Sequence, residues 1–162
     1  KSKLKNYTYF FNDSMKLIIS GIGVKNATFA TQTLINHFDI TDDDIYINVG
    51  ICGASKDFDV GELMQISALS YNDKKYPLDN KNEHLLTCLD EPHTKGKYGI
   101  VDMESYGFYD AVIHSPAIKN FHIFKVVSDH FEPDKVTKEK TKSLLFNDIH
   151  DINILLNQKG LS

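Results

Sequence analysis

Three acidic side chains stand where they can do chemistry. In "VDMES", Asp102 and Glu104 flank Met103 at the point where an apolar helix begins. In "FKVVSDH", Asp129 closes a buried-type run, with Ser128 before it and His130 after it. A carboxyl group at the end of an apolar run can be kept protonated by burial and then act as a general acid. Acids in the first turn of a helix have a plainer use, since exposed amides and the dipole attract negative charge there. Taken alone, "VDMES" reads as a capping segment, and Asp129 as a cap or turn residue.

Two glycine pairs form a second group. "SGIGVKNA" sets Gly21 and Gly23 between a strand and a helix, and "VGICGAS" sets Gly50 and Gly53 after the next strand. Tight turns explain both; a backbone approach to a ligand at a helix N-terminus is the sharper alternative. A dinucleotide fingerprint is not met, because its third glycine is Asn26 and the acids Asp42 to Asp44 precede the next strand. Cys52 has no histidine or acid at an obvious activating position and reads as a small buried filler. The seven histidines show no metal-ligand spacing, so no metal is expected.

These residues need elements to position them. The opening "KSKLKNYTYFFNDSMKLIISGIG" reads as a strand, a turn at Asn12-Asp13-Ser14 and a second strand. Ala27, Ala30, Leu34 and Phe38 recur at helical spacing. "DIYINVG" is a short buried-type strand, and "FDVGELMQISALSY" alternates as one or two more. The polar stretch from Asn72 to Glu83, with Pro77 inside it, reads as a loop. "EHLLTCL" is a strand, and a helix at Asp102 places Met103, Gly107 and Ala111 on one line. "FHIFKVVSD" is a further buried-type strand. Leu144, Leu145, Ile149, Ile152 and Leu156 then form one closing helical stripe. Alternating strands and helices predict an α/β protein around a mixed sheet. Small or polar residues gather at strand carboxyl ends, where such sheets bind ligands.

Composition narrows the classes. With 162 residues the chain is most simply one domain over 1–162, large enough to bury a core. A net charge of -4 argues against a nucleic-acid partner, which needs a basic face. No apolar run approaches membrane-spanning length, and no signal peptide is recognisable. Two isolated cysteines fit a reduced, cytoplasmic protein. All 18 basic side chains are lysine, so the chain holds no guanidinium clamp for phosphate.

In order, "SGIGVKNAT", "NVGICGA…VGEL", "VDMES" and "KVVSDH" resemble the motifs of the purine nucleoside phosphorylase and methylthioadenosine/S-adenosylhomocysteine nucleosidase superfamily. The resemblance runs from about Lys16 to the final helix. It implies a three-layer α/β/α sandwich with a central mixed sheet, and cleavage of the bond between a purine and ribose by water or phosphate. It further implies that Met103 packs against the ribose, that Glu104 binds its two hydroxyls, and that Asp129 protonates or hydrogen-bonds the imidazole-ring nitrogen of the leaving purine. Ser128, Gly21 and Gly53 would line the substrate, and Thr87 to Pro92 would lie near the base. No cofactor is implied beyond water or phosphate as co-substrate. The implied partners are a small purine nucleoside and further copies of the chain, as a homodimer or higher homo-oligomer.

The chemistry suits these residue types. A purine anion leaves poorly, so an acid at its ring nitrogen speeds departure. The ribose gains oxocarbenium character and must be held in orientation, which a carboxylate on vicinal hydroxyls achieves. On this reading Glu104 binds ribose and Asp102 alone caps the helix.

Three departures qualify the expectation. Arginines are absent, and Ile51 stands where the family often has a serine reaching the nucleophile or sugar. Both disfavour phosphorolysis and leave hydrolysis preferred, with Lys25 or a neighbouring subunit's lysines as alternative phosphate ligands. Third, the family's opening strand and its water-activating glutamate have no counterpart, and the segment between Tyr71 and Tyr98 looks shortened. The expectation is thus a nucleosidase, with a phosphorylase or a non-catalytic nucleoside-binding relative as alternatives.

Overall fold

The computed structural model describes residues 2–79, 81 and 83–158, with the side chains of residues 155–158 outside that description. Its contacts divide the chain into two compact units, one of residues 1–47 and 103–122, the other of residues 48–102 and 123–162.

The first unit holds a three-stranded antiparallel sheet of β1 (Ser2–Leu4), β2 (Tyr7–Phe11) and β3 (Lys16–Ile19), in that order. The sequence predicts two strands here; a turn at Lys5, with φ 52, splits the first of them. Asn12 closes the β2–β3 turn as expected, its Oδ1 accepting from the amides of Ser14 and Met15 at 3.0 and 2.7 Å. Pairing Tyr9 with Ile18 puts Tyr9 on the face that stacks against Phe38, with ring centroids 5.8 Å apart.

Helix α1 (Val24–His37) follows the first glycine pair, and Gly23 at its N-cap has φ 99, a conformation that favours glycine. Its small residues Ala27 and Ala30 are buried. Helix α2 (Ser105–Ile113) packs against α1 at very short range. A Cβ at Gly107 would lie 2.1 Å from the Val24 carbonyl oxygen and 2.9 Å from the Thr28 amide nitrogen, so only glycine fits that crossing.

The second unit contains β5 (Leu63–Gln65), β6 (Ala68–Tyr71), β7 (Lys74–Pro77), β8 (Leu85–Cys88) and β9 (Ile100–Asp102). Two longer strands, β4 (Ile45–Ala54) and β10 (Asn120–Asp129), begin in the first unit and end in the second. The seven form one sheet in the order β5-β10-β4-β9-β8-β6-β7. It is mixed: β6 and β9 each pair parallel to β8, while β4–β9, β5–β10 and β6–β7 are antiparallel. The α/β class with a mixed sheet is as expected.

Several local expectations change. The stretch from Asn72 is not all loop: Asn72 and Asp73, both at positive φ, turn a hairpin into β7, and Pro77 is tolerated because β7 is the sheet edge. Asn80 and Asn82 of that stretch lie outside the described residues. The closing stripe is two helices, α3 (Lys138–Asn147) and α4 (Ile149–Gln158), interrupted where Asn147-Asp148 weakens helix propensity. The Leu156 side chain lies outside the description. Thr137 caps α3 by accepting from the Lys140 amide at 3.2 Å. Among the described residues no helix is long and apolar enough to cross a membrane.

Asp102 corrects a further expectation. It is the last residue of β9, and the N-cap position of α2, which starts at Ser105, belongs to Glu104. Its Oδ2 instead meets Lys125 Nζ of β10 at 2.8 Å, with both side chains only 1% exposed. Strand β4 lies between β9 and β10, so the lysine reaches across it at Gly50. A Cβ there would stand 3.1 Å from Nζ.

Two stability outcomes follow. Gly107→Ala ordinarily strengthens a helix by up to about 1 kcal/mol. Here the backbone clash reverses the sign, and urea denaturation is expected to show a loss of at least ~2 kcal/mol. A raised urea midpoint would disprove the close crossing. Lys125→Met strips buried Asp102 of its counter-charge and is expected to cost about 3–5 kcal/mol in the same assay. A change within ~0.5 kcal/mol, the range of an ordinary surface substitution, would exclude a buried pair.

Candidate functional site

In the first unit Glu104 comes together with the glycine loop. The Gly23 amide donates to Glu104 Oε1 at 2.9 Å, joining residues 81 apart in sequence. This bond uses one of the open amides at the start of α1, so the carboxylate sits at a positive helix end. Gly21, at φ 83, lets the chain turn into that loop, and the Asn26 side chain donates to the Ile22 carbonyl at 2.7 Å. Met103 and Glu104 are both half-buried. Lys25, one alternative phosphate ligand, is exposed and holds its ammonium 5.9 Å above the Phe29 ring.

In the second unit Asp129, Ser128 and Gly53 come together at the end of β10. Asp129 Oδ2 accepts from the Glu132 amide at 2.7 Å, which fixes the carboxyl plane. Ser128 Oγ lies 2.5 Å from Asp129 Oδ1 and 3.0 Å from the Cys52 carbonyl oxygen. Gly53 makes room for this arrangement. A Cβ at that position would lie 3.3 Å from Val101 Cγ2, 3.5 Å from Phe131 Cδ1 and 3.6 Å from Asp129 Oδ2.

The neighbours of Asp129 are structural or aromatic. His130 Nδ1 is 3.1 Å from the Ala54 carbonyl, an acceptor only, so that nitrogen carries the ring proton and pins the turn. Phe131 is buried at φ 59, an outlying conformation for a bulky residue. Its ring meets His93 of the β8–β9 loop, which also meets Tyr98.

Cys52 is buried, and its thiol is pushed up to about 12, first by burial, with Lys125 pulling the other way. A thiol so held is not a nucleophile near neutral pH. Among the described residues no group of three or more histidine, cysteine or acidic side chains is placed to hold a metal.

Sequence reasoning missed Lys125, His93 and Phe131. A lysine inside the apolar run "HIFKVVS" was a usable signal, because an ion within a buried strand needs a partner. Nothing in the sequence announces the backbone of Phe131 or the burial of His93 Nε2.

The fold is the α/β fold of the nucleoside phosphorylases and nucleosidases, and the resemblance holds at that level. The particular structures are methylthioadenosine/S-adenosylhomocysteine nucleosidases. That of Neisseria meningitidis, in complex with methylthio-immucillin-A, superposes with a TM-score of 0.63 at 17% identity, covering 88% of this chain and 84% of that one. A Chlamydia trachomatis nucleosidase bound to MTA gives 0.67 at 17% identity, covering 94% and 86%. The Streptococcus pneumoniae enzyme with a transition-state inhibitor gives 0.61 at 16% identity, covering 86% and 87%. No family model and no curated protein matches the sequence.

The burial of both cysteines yields a test. Ellman's reagent at pH 8 is expected to leave the native protein unlabelled for hours and to titrate both thiols at once in urea. Rapid labelling of Cys52 in the native protein would overturn its assignment as an inert core residue.

Proposed function

We propose that this chain hydrolyses the N-glycosidic bond of a purine nucleoside, in the manner of a methylthioadenosine/S-adenosylhomocysteine nucleosidase. The observation that carries the reading is the fixed carboxyl group of Asp129: its Oδ2 accepts from the Glu132 amide and its Oδ1 from the Ser128 hydroxyl, beside the space that Gly53 leaves open. A carboxyl group held in one orientation at a strand end is suited to act as a general acid toward a bound base.

In this mechanism Asp129, entering the reaction as the carboxylic acid, passes its proton to the imidazole-ring nitrogen of the base. The bond from ribose C1′ to the purine breaks with its electrons leaving on the base. Water adds to C1′ and gives up a proton to solvent. Glu104, oriented by the Gly23 amide, accepts from the two ribose hydroxyls, and the Met103 side chain offers an apolar surface to the sugar. Ser128, Gly21 and Gly53 shape the surroundings of these groups. No cofactor is required, water being the co-substrate. The solved nucleosidases whose fold it shares, bound to adenine in the case of Colwellia psychrerythraea, support the substrate class. A cytoplasmic setting and assembly as a homodimer or higher oligomer belong to the same reading; light scattering on the purified protein tests the latter.

Chromatography of free base after incubation with methylthioadenosine, S-adenosylhomocysteine and adenosine, with and without phosphate, tests the proposal. Base release independent of phosphate is expected. Ribose-1-phosphate formed only with phosphate would make it a phosphorylase, and binding without release a non-catalytic relative. Asp129→Asn, which keeps the shape and removes the acid, is expected to lower kcat by about 10²–10⁴-fold. Undiminished turnover would remove Asp129 from the mechanism.

A further inference from the structure

His93 Nε2 is buried with no hydrogen-bond partner among the described residues. Its ring meets Tyr98 at 4.9 Å between centroids and Phe131 at 5.4 Å, both edge-on. Phe131 holds its left-handed backbone beside it and shares the space in front of Gly53 with the Asp129 carboxylate. A ring nitrogen withdrawn from water without a partner is unfavourable, and so is a bulky residue at positive φ. Both costs fall on one cluster, contiguous with the proposed acid. Concentrated cost of this kind marks ligand positions more often than plain scaffold.

Resting on the nucleosidase reading, we propose that His93 determines base specificity, its Nε2 hydrogen-bonding the six-membered-ring edge of a purine stacked on Phe131 and Tyr98. The Phe131 ring links His93 to the neighbourhood of Asp129. A ligand that engages both must therefore be flat and carry polar atoms at its two ends. A purine does so, with an imidazole nitrogen for Asp129 at one end and a polar edge at the other. A 6-aminopurine suits either tautomer of His93, since its edge presents an amino donor beside a ring-nitrogen acceptor. Binding would give Nε2 its missing partner and set the aromatic rings against a π-face.

Calorimetric titration with adenine and with benzimidazole separates the edge from the face, because benzimidazole is bicyclic but has no nitrogen on its six-membered ring. His93→Phe keeps an aromatic ring in the cluster. It is expected to weaken adenine about tenfold and to leave benzimidazole unchanged. In the unsubstituted protein, the His93 Nε2 resonance in long-range ¹H–¹⁵N spectra is expected to move on adding adenine and to stay in place with benzimidazole. This second measurement holds even if the variant fails to fold. Unchanged adenine affinity in the variant, or a stationary Nε2 resonance in an adenine-saturated protein, would overturn the role of His93 while leaving the nucleosidase reading intact. A protein that binds neither adenine nor any purine nucleoside would overturn both.

Discussion

The second unit depends on an ion pair taken fully out of water. Lys125 and Asp102 lose their hydration on entering the sheet, and that loss is offset only while the two remain 2.8 Å apart. The requirement sets the order of neighbours: β9 and β10 must flank one strand, and that strand must carry no side chain where the ammonium crosses. Gly50 meets this condition. Apolar residues such as Phe124, Val126 and Met64 supply the bulk of the burial around it. They are interchangeable in a way the pair is not, because a hydrophobic strand can slip in register while a buried charge cannot leave its partner.

Both groups of candidate residues hang from this pair along the chain. Asp102 is bonded to Met103, and Glu104 comes next; Lys125 lies one β-strand repeat pair before Asp129 on the same strand. The carboxyl of Asp129 is then fixed by its own turn, through the Glu132 amide and Ser128. Rigid support of this type gives a carboxyl group one orientation instead of many.

Much of the fold was legible because periodicity reports burial. The α1 stripe, the apolar runs of β4 and β10 and the turn at Asn12 all rest on local chemistry. Short elements escaped: β7 is built of Lys74, Lys75, Tyr76 and Pro77, and as an edge strand it needs no apolar alternation. The role of Asp102 was misread for a related reason. An acid near a helix start looks like a cap whatever its partner, and Lys125 is 23 residues away in sequence. In the two candidate groups the residue types of Asp129 and Glu104 could be read; the bond from Gly23 to Glu104 could not, since it joins residues 81 apart, nor could the contact of Ser128 with its neighbour Asp129, which depends on the side-chain rotamers.

The chain changes unit three times, within β4, between Asp102 and Met103, and within β10. Neither unit is therefore a continuous stretch that can be excised at one cut. During synthesis β1 to α1 emerge first, but α2, whose Gly107 seats on α1, is made only after most of the second unit's strands. The face of α1 at Val24 and Thr28 must await its cover through some seventy intervening residues, a span over which an open helix face is exposed to chaperones and to wrong partners.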